Sequence, residues 1–470
     1  MRLLDIARSA YVKSPPGLRR SVAPLISMMP LSMRYGAVYE RWRRDIARAR
    51  IDSEFSIAAT TAGLRALASA AGRASPLHRA RFAAAFGTNF DARQIEVEDL
   101  ARLPILTKRD LRVAGEAALT RPAKNLVRNC TSGSNGEEPF AFFVDRDRSV
   151  REFAFVNDAW ARAGYTRDQA RCVLKGFRMK GAEDRLFEWE PALNELRLSV
   201  FPMTEADVAL YVDMIDARQI RFLHGYPSAI ELFCRQMLAL GRSFKTPIKG
   251  VLPISEPLYD HQRATIRKAL GDVAFAPFYG LSEKALFARE VADDIYEFEP
   301  LYGLAEMVDD EGAPVTEPGE EGRLLGTGFI THGTPFIRYE TEDRARLVEA
   351  GTRANGWRMK VAAISPRRKP GFFIGKTGNR IVATNFPPQD VVFFRGISEF
   401  QFAQSEPGKA VIRYVAAKDG VLADAERIRS ALEAKADGHL TFTLERVECL
   451  ACGSQGKRAF IDQSLDLAAY

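Results

Sequence analysis

Residues 131–136 read Thr-Ser-Gly-Ser-Asn-Gly, a loop in which small polar residues alternate with glycines. Apolar residues flank this loop: Leu126 and Val127 precede it, and Phe140 to Val144 follow it, so a strand is expected on each side. Backbone N–H groups in such a turn form a concavity that binds anions, and the hydroxyls add donors for phosphate oxygens. Taken alone, the hexapeptide is more typical of an ordinary surface turn, because glycine and serine dominate turns.

Length and composition indicate a globular enzyme of more than one domain. The chain has 470 residues, which favours two or three domains. With 46% hydrophobic and 27% charged residues, it does not resemble a disordered chain. The net charge is +7 and the pI is about 9.1, but no long Lys/Arg run occurs. We therefore expect anionic small-molecule substrates and no nucleic-acid partner.

The cysteines and the apolar segments bear on location. Five cysteines spread over the chain favour a reducing compartment without a disulfide framework, so a cytoplasmic protein is expected. Cys449 and Cys452 form a lone CxxC with no second pair or nearby histidine, which argues against a zinc site. No apolar run reaches about 18 residues, so no transmembrane helix is expected. The apolar stretch 22–33 contains two prolines and no cleavage-like site, which is unlike a secretory signal.

The sequence pattern predicts the order of helices and strands. Residues 1–120 have mostly helical patterns, including a capping box over Thr107-Lys-Arg-Asp110. The central region alternates short apolar strands, at 221–223, 251–254 and 273–278, with helices, one of which is predicted to start with Ser228 and Glu231 as its capping pair. This alternation indicates a mostly parallel sheet covered by helices, with a ligand crevice at the carboxyl ends of the strands.

A change of composition marks a domain boundary near residue 366. Ser-Pro-Arg-Arg-Lys-Pro-Gly at 365–371 is typical of a linker. After it come a hairpin pattern around Glu406-Pro-Gly408, a helical pattern and a further strand at 441–447. The predicted fold class is therefore α/β: a large N-terminal domain with mixed and parallel sheets covered by helices, and a small C-terminal α+β domain joined by a hinge. The predicted domains are residues 1–365 and 372–470, with 366–371 as the hinge.

Later segments accompany the glycine-rich loop in a fixed order. They are Phe-Tyr-Gly-Leu-Ser-Glu at 278–283, Gly-Arg-Leu-Leu-Gly-Thr at 322–327, Pro-Phe-Ile-Arg-Tyr-Glu-Thr-Glu-Asp at 335–343, the basic hinge, and Gly-Lys at 456–457. Their order and separation resemble the adenylate-forming superfamily, which includes acyl-CoA synthetases and peptide-synthetase adenylation domains. Leu-Pro-Ile-Leu-Thr-Lys at 103–108 and Gly-Tyr-Pro-Ser at 225–228 resemble its phenylacetate–coenzyme A ligase-like branch, including homologues from capsule and exopolysaccharide clusters.

This resemblance implies a reaction and its co-substrates. A carboxylate attacks the α-phosphate of ATP, giving an acyl-adenylate and pyrophosphate, and the acyl group then passes to a thiol. The implied requirements are ATP, Mg²⁺, coenzyme A as acceptor and a small carboxylic acid, with a role in polysaccharide or secondary-metabolite biosynthesis. Both reactants are anions, so positioning and charge stabilisation must supply most of the catalysis.

The resemblance also implies roles for individual residues. Lys457 would be the catalytic cation, Glu283 would bind Mg²⁺, and Asp343 would accept hydrogen bonds from the ribose hydroxyls. Tyr279 and Gly280 would contact adenine together with Ser255 and Glu256. The residues implied to hold the β- and γ-phosphates are Thr131, Ser132, Gly133, Ser134, Asn135 and Gly136. Arg367 would contact the ribose near the hinge, and Arg368 and Lys369 would form the pivot. The residues implied to line the acyl pocket are His224, Tyr226 and Phe278.

The chain departs from the family pattern at several positions. Glu137 and Glu138 stand where the family often has a lysine after the phosphate loop. Glu342 replaces the glycine of a Thr-Gly-Asp motif, so the turn there is expected to differ, and Ser255 replaces a glycine before Glu256. Many members of the branch carry a Cys/His cluster after the tyrosine-glycine motif, but residues 284–300 contain neither type. We therefore predict no zinc there.

Other interpretations of the same residues remain open. Phe278 and His224 could serve the core, Tyr279-Gly280 could be a simple strand-end turn, and Glu283 could be an acid in the first turn of a helix. The acyl acceptor could be a carrier-protein thiol, an amine or a hydroxyl. A degenerate nucleotide-binding or scaffold protein is the alternative from another class. An α/β-hydrolase is excluded because Gly-x-Ser-x-Gly is absent, and a dinucleotide-binding dehydrogenase is disfavoured because Gly326-Thr-Gly328 lacks the third glycine.

Overall fold

A computed structural model describes residues 31–130, 140–175, 186–199, 205–365, 372–382, 397–416, 425–436, 438–448, 450 and 461–466. The α-helices over these residues are α1 (Leu31–Ile51), α2 (Ser53–Ala74), α3 (Pro76–Phe86), α4 (Lys108–Ala114), α5 (Arg148–Ala161), α6 (Glu205–Ala217), α7 (Pro227–Ala239), α8 (Asp260–Leu270) and α9 (Ala425–Lys435). In this part of the chain, the helices are all too short or too polar to cross a bilayer.

Side-chain caps set where two of the N-terminal helices begin. Asp52 accepts a hydrogen bond from the Phe55 N–H at 2.9 Å at the start of α2. Thr107 and Asp110 form the predicted capping box at the start of α4, where each satisfies a backbone N–H of the other. Because Lys108 is the first residue of α4, this cap also fixes the position of the lysine.

The strands of the N-terminal part belong to three sheets. They are β1 (Val127–Cys130), β2 (Ala141–Val144), β3 (Arg171–Leu174), β4 (Phe187–Glu190), β5 (Glu195–Leu198), β6 (Phe222–Gly225), β7 (Gly250–Pro253), β8 (Ala274–Phe275), β9 (Phe278–Gly280), β10 (Phe287–Ala292), β11 (Ile295–Phe298), β12 (Gly303–Val308), β13 (Glu321–Gly328), β14 (Tyr339–Glu349) and β15 (Lys360–Ser365). The strands β1 and β2 pair antiparallel on either side of residues 131–139, which confirms the strands predicted there.

The predicted helix-covered parallel sheet is present, with the strand order β4-β5-β3-β6-β7-β8. All of its pairs are parallel except β4–β5. Neighbouring residues face opposite sides: Leu223 and Val251 pack with α6, α7 and α8, whereas Phe222 and Leu252 pack with α1 and α5. Both faces of the sheet are therefore buried, as is usual for parallel strands.

A second, antiparallel sheet was not evident from the helix–strand alternation. Its order is β12-β13-β14-β15-β11-β10-β9. The prediction of one strand over 273–278 was wrong, because β8 ends in the parallel sheet at Phe275 and β9 starts the antiparallel sheet at Phe278. Pro277 lies between them and has no N–H to continue a ladder, so the chain leaves one sheet and enters the other there.

The C-terminal part has its own sheets and core. Its strands are β16 (Phe372–Ile374), β17 (Arg380–Val382), β18 (Ile397–Glu406), β19 (Lys409–Ala416), β20 (Thr441–Arg446) and β21 (Ile461–Gln463). The hairpin β18–β19 turns at the predicted position, and β20 and β21 flank it in parallel. Ile428 and Leu432 of α9 pack on Phe402 and Phe442 of this sheet. This arrangement confirms the predicted small α+β domain.

The start of α7 differs from the prediction. The helix begins at Pro227, and Tyr226 at the N-cap contributes no side-chain hydrogen bond, so the predicted Ser228–Glu231 capping box was wrong. Proline needs no N–H partner at this position. The N–H of Ser228 instead donates to Oε2 of Glu256 at 3.2 Å. A carboxylate from the segment after β7 thus replaces the local cap.

Gly225 gives a direct test of this packing. A Cβ on Gly225 would lie 2.0 Å from the Leu174 carbonyl oxygen, which is backbone and cannot rotate away. We predict that Gly225→Ala lowers the free energy of unfolding by about 3 kcal/mol in urea denaturation. Gly280→Ala is the matched control, since the nearest atom to a Cβ there is 3.6 Å away. Equal stability of the two variants would contradict the packing described.

Candidate active site

A short parallel bridge holds Lys108 beside strand β14. The Leu106 N–H donates to the Arg338 carbonyl, and the Glu340 N–H donates to the Leu106 carbonyl, both at 2.9 Å. This pairing places Leu106 opposite Tyr339 and aligns the residues that follow each of them. The Lys108 ammonium consequently reaches Glu342 and donates to its Oε2 at 2.8 Å.

A bulge in β14 presents the acidic residues. Arg344 pairs with Arg323 and Glu340 with Leu325, so residues 341–343 lie opposite the single residue Leu324. The Thr341 hydroxyl donates to the Leu324 carbonyl at 2.9 Å and accepts from the Asp343 N–H at 3.1 Å. Glu342 has φ of 67°, in the left-handed region that glycine occupies freely. A glycine-type turn is thus compatible with glutamate at this position, at a cost of about 1–2 kcal/mol.

Tyr279 and Asp343 join two distant strands of the antiparallel sheet. The Tyr279 hydroxyl donates to Oδ2 of Asp343 at 2.7 Å. The order of the sheet separates β9 from β14 by three intervening strands, which corresponds to about 19 Å in a flat sheet. The sheet must therefore curl so that its edge strand approaches β14. The rings of Tyr279 and Phe298 pack edge to face next to this hydrogen bond, with their centroids 5.9 Å apart.

The environment of Asp343 raises the pKa of its carboxyl to about 6. Burial is the largest cause, and the carboxylates of Glu283 and Glu342 add to it. The hydrogen bond from Tyr279 and the charge of Lys108 act in the opposite direction. Among the described residues, no side chain donates to the second oxygen of Asp343. The group is therefore a carboxylate at neutral pH with one oxygen available to a ligand.

Glu283 has a matching arrangement. Its side chain is only 5% exposed, and Oε1 accepts a hydrogen bond from the Tyr339 hydroxyl at 2.9 Å. The residue lies in a turn before β10, so the interpretation as a first-turn helix acid was wrong. A Cβ on Gly328 would lie 2.5 Å from the Lys284 carbonyl oxygen. Glycine at 328 thus lets the chain after Glu283 pass directly over β13 and fixes the position of the acid.

Three carboxylates and one ammonium meet at this point. Glu283, Glu342 and Asp343 surround Lys108; burial would lower the pKa of the lysine, but these acids outweigh burial and raise it. Among the described residues, no group of three or more acidic, histidine or cysteine side chains is placed to hold a metal ion by itself, so a cation here would need further ligands from a bound molecule and water. Mg²⁺ prefers a single carboxylate with phosphate oxygens and water, and the second Glu283 oxygen has no hydrogen-bond donor among the described residues. The donor set therefore fits a magnesium ion.

Lys108 and Tyr339 were not identified from the sequence as site residues. Lys108 belongs to the segment 103–108, and Tyr339 belongs to the segment 335–343, so both stood in segments that carried the family resemblance. The missing information was the bridge from Leu106 to β14, which links positions more than 200 residues apart. No local pattern encodes such a contact.

Glu256 forms a second polar point at the end of β7. Burial raises the pKa of Glu256 to about 7, against hydrogen bonds from Ser228 that lower it. Its Oε1 is buried and has no hydrogen-bond partner within the described part of the chain, whereas Oε2 accepts from the Ser228 N–H. Ser255 has φ of 68°, again in the region that favours glycine. The segment therefore retains a glycine-type backbone, and the hydrogen-bonding capacity of the Glu256 carboxyl is only partly used by the described residues.

His224 and Phe278 are linked through Trp160 of α5. The centroids of the Trp160 and His224 rings are 4.7 Å apart, and those of Trp160 and Phe278 are 6.5 Å apart. His224 is 3% exposed, and its Nδ1 lies 2.8 Å from the Leu252 carbonyl oxygen. Phe278 also stacks on Phe287. His224 and Phe278 therefore pack in the hydrophobic core, although both lie near strand ends. Tyr226 follows His224 by two positions.

Several predicted residues lie outside the described part of the chain. They are the phosphate-loop residues 131–136, the hinge residues Arg367, Arg368 and Lys369, and Lys457. The described residues nevertheless bring Tyr279, Glu283 and Asp343 into one cluster. Their proximity was expected only from the family resemblance, since the three positions span 65 residues of sequence, and three strands separate β9 from β14 in the sheet.

The fold has known counterparts. No family model matches the chain. A curated protein, Protein CapK of Staphylococcus aureus, is 25% identical over 342 residues, which cover 70% of this chain and 72% of that protein. The crystal structure of 2-hydroxyisobutyryl-CoA ligase in complex with 2-HIB-AMP and CoA superposes with a TM-score of 0.55 at 17% identity, covering 89% of this chain and 92% of that one.

At the level of the fold, these comparisons confirm the predicted resemblance and the predicted fold class. The chain has the fold of the adenylate-forming ligases, with a large α/β part and a separate C-terminal domain.

The raised pKa of Asp343 predicts a pH-dependent stability. Because the pKa in the folded chain is about 6 and the ordinary value is 3.8, ionisation of Asp343 costs folding free energy. This cost is absent below pH 3.8, grows as the pH rises to about 6 and is complete above it. We predict that Asp343→Asn raises the stability by about 1–2 kcal/mol at pH 7.5 and leaves it unchanged at pH 3.5.

The measurement is the urea midpoint of both proteins across this pH range. Asp272→Asn, which changes an exposed aspartate, is the control and should give no pH-dependent gain. A gain from Asp343→Asn that is the same at every pH would contradict the assignment.

Proposed function

We propose that the protein is an ATP-dependent, AMP-forming acid–thiol ligase of the phenylacetate–coenzyme A ligase type. It activates a carboxylic acid as an acyl-adenylate and transfers the acyl group to coenzyme A. One observation carries this proposal: Asp343 and Glu283 lie together beside Lys108, and each has one oxygen held by a tyrosine hydroxyl. The other oxygen of each acid has no donor among the described residues, as a ribose site and a cation site require.

In the proposed complex, Asp343 accepts hydrogen bonds from the ribose hydroxyls, and Tyr279 holds this carboxylate in place while its ring stacks on adenine. Glu256 supplies the hydrogen bond to the base, which suits an oxygen that is buried and has no partner among the described residues. Glu283 holds Mg²⁺, which when bound supplies positive charge to the phosphates. The glycine-rich loop 131–136 donates its N–H groups and hydroxyls to the β- and γ-phosphates.

The first half-reaction joins two anions. A carboxylate oxygen of the acid forms a bond to the α-phosphorus, and the bond from that phosphorus to the bridging oxygen of pyrophosphate breaks. Lys457 approaches both the acid and the α-phosphate and offsets their repulsion. The positive charge of Lys108 lowers the pKa of Asp343 and so helps this acid to remain ionised beside the nucleotide.

The second half-reaction needs Lys457 to leave. We expect the C-terminal domain to rotate about Arg368 and Lys369 after adenylation, with Arg367 near the ribose. The thiolate of coenzyme A then attacks the acyl carbon, and AMP departs with the electrons of the broken C–O bond. A compact ammonium on a flexible stem suits a charge that must arrive and withdraw.

A panel of carboxylic acids tests the proposal. We expect pyrophosphate release with ATP and one class of acid, accelerated in steady state by coenzyme A, with AMP as the second product. If coenzyme A does not accelerate the release of pyrophosphate, the acyl acceptor is instead a carrier-protein thiol, an amine or a hydroxyl. The absence of release with every acid would contradict the ligase function and favour a scaffold role.

Substitution of Lys457 should affect the two half-reactions differently. We predict that Lys457→Ala lowers the rate of acyl-adenylate formation by at least about 100-fold, because the charge between two anions is lost. Thiolysis of a supplied acyl-adenylate should stay within about twofold of the wild type, since the lysine has withdrawn by then. Pyrophosphate exchange and thioester formation measure the two steps. Equal loss of both would contradict the role proposed for Lys457.

Lys108 is predicted to tune the site through Asp343. In Lys108→Met the positive charge that lowers the pKa of Asp343 is lost, so ATP binding should need a higher pH than in the wild type. At pH 7 we expect the KM for MgATP to rise by about tenfold. Lys124→Met is the control, because Lys124 is an exposed lysine of the same N-terminal region. An unchanged pH profile with a raised KM would indicate a merely structural role and contradict this prediction.

A further inference from the structure

The parallel sheet has a switch point between β3 and β6. After β3 the chain adds β5 on one side, and then β6 returns to the other side of β3. Ligands of such sheets bind outside the carboxyl ends of the strands at this point. Leu174, the last residue of β3, pairs with Gly225, the last residue of β6. Lys175 and Tyr226 are therefore the first residues beyond the two strands that border the crevice.

Lys175 lies beyond a group of charges on β3 and β5 that pair with one another. Arg171 forms an ion pair with Glu195. Arg197 pairs with the same carboxylate at 3.1 Å and with Glu190 and Glu188 at 3.9 and 4.0 Å. Among the described residues, no carboxylate forms an ion pair with Lys175. The side chain is half-buried, and burial lowers the pKa of Lys175 to about 8, with Arg171 and Arg197 lowering it further against the attraction of Glu195. A partly desolvated ammonium without a counter-ion is costly unless a ligand supplies one.

The neighbouring His224 adds no negative charge. Its Nδ1 must donate to the Leu252 carbonyl, because a carbonyl oxygen only accepts. Burial holds the pKa of His224 well below its ordinary value, and Lys175 and Arg171 lower it further. The imidazole is therefore neutral at physiological pH. Among the described residues, Lys175 thus remains without an ion-pair partner at the crevice between β3 and β6.

The order of the strands separates Lys175 from the nucleotide site. Glu256, the proposed adenine contact, follows β7, and β6 lies between β7 and β3. Adjacent strands are about 4.8 Å apart, so the ends of β3 and β7 are about 10 Å apart. Trp160 and Phe278 continue from His224 toward Tyr279 on the nucleotide side. An acid joined to the adenylate would thus present its far end to Lys175.

We propose that Lys175 binds a second anionic group at the far end of the acid, so that the preferred substrates are dicarboxylic acids or similar dianions. This inference rests on the proposed ligase function and adds the class of substrate. Lys175 acts as a specificity determinant: it contacts the remote carboxylate of the substrate and takes no part in the bond changes at the α-phosphorus.

The test compares each dicarboxylic acid of a straight-chain and aromatic series with its own monomethyl ester. Pyrophosphate release by the wild type should show a kcat/KM at least about tenfold higher for the best diacid than for its ester. Lys175→Met should reduce this ratio to within about twofold, mainly through KM of the diacid, and Lys175→Arg should keep most of the preference. Lys249→Met is the matched control, because Lys249 is exposed at the opposite end of β7.

The possible failures are distinguishable. If the wild type activates esters as well as diacids, or if Lys175→Met keeps the preference with an unchanged thermal midpoint, the inference is overturned while the ligase function stands. If no acid releases pyrophosphate, the ligase function fails, and calorimetric titration of the diacids then decides the inference. Tighter binding of a diacid than of its ester, lost in Lys175→Met, would support the anion site. Equal affinity for the diacid and the ester, or no binding of the diacid, would overturn the inference.

Discussion

The hydrogen bond from Tyr279 to Asp343 is the constraint on which the rest of the site depends. It joins the edge strand of the antiparallel sheet to a strand four positions away, and so it requires the sheet to curl. The curl buries the Asp343 carboxyl, and burial raises its pKa to about 6. A group with this pKa is ionised near neutral pH only because the tyrosine and Lys108 support its charge. The site is thereby prepared for a ligand that supplies further hydrogen bonds.

Two residues show how the chain keeps its backbone while changing its side chains. Ser255 and Glu342 both have φ near 70° in the left-handed region, where glycine is unstrained. Each stands where the resembled family has glycine, and each precedes an acid of the proposed nucleotide site. Glu342 gains an ion pair with Lys108, which offsets part of the backbone cost. The departures from the motif therefore change the charge beside the nucleotide without removing the turn.

Much of the fold follows from patterns that are local in sequence. The capping box at Thr107, the hairpin around Gly408 and the helix-covered parallel sheet were predictable, because each depends on residues close together in the chain. The antiparallel sheet and the Leu106 bridge were not, since they depend on register between distant segments. Glu283 and Asp343 could be proposed as site residues from the family resemblance, whereas Lys108 could be proposed only from its three-dimensional contact with Glu342. Pro277 marks the position where the chain leaves one sheet for the other. The apolar residues on both sides of this proline were nevertheless interpreted as one strand.

The central claim is that Asp343 receives the ribose of a nucleotide, and calorimetric titration tests it most directly. The wild-type protein should bind MgATP at least about tenfold more tightly than 2′,3′-dideoxy-ATP at pH 7.5. The dideoxy nucleotide lacks the two ribose hydroxyls that would donate to the charged Asp343 carboxylate. The same comparison at pH 5 should show little difference, since Asp343 is largely protonated there. Equal affinity for the two nucleotides at pH 7.5 would contradict the account.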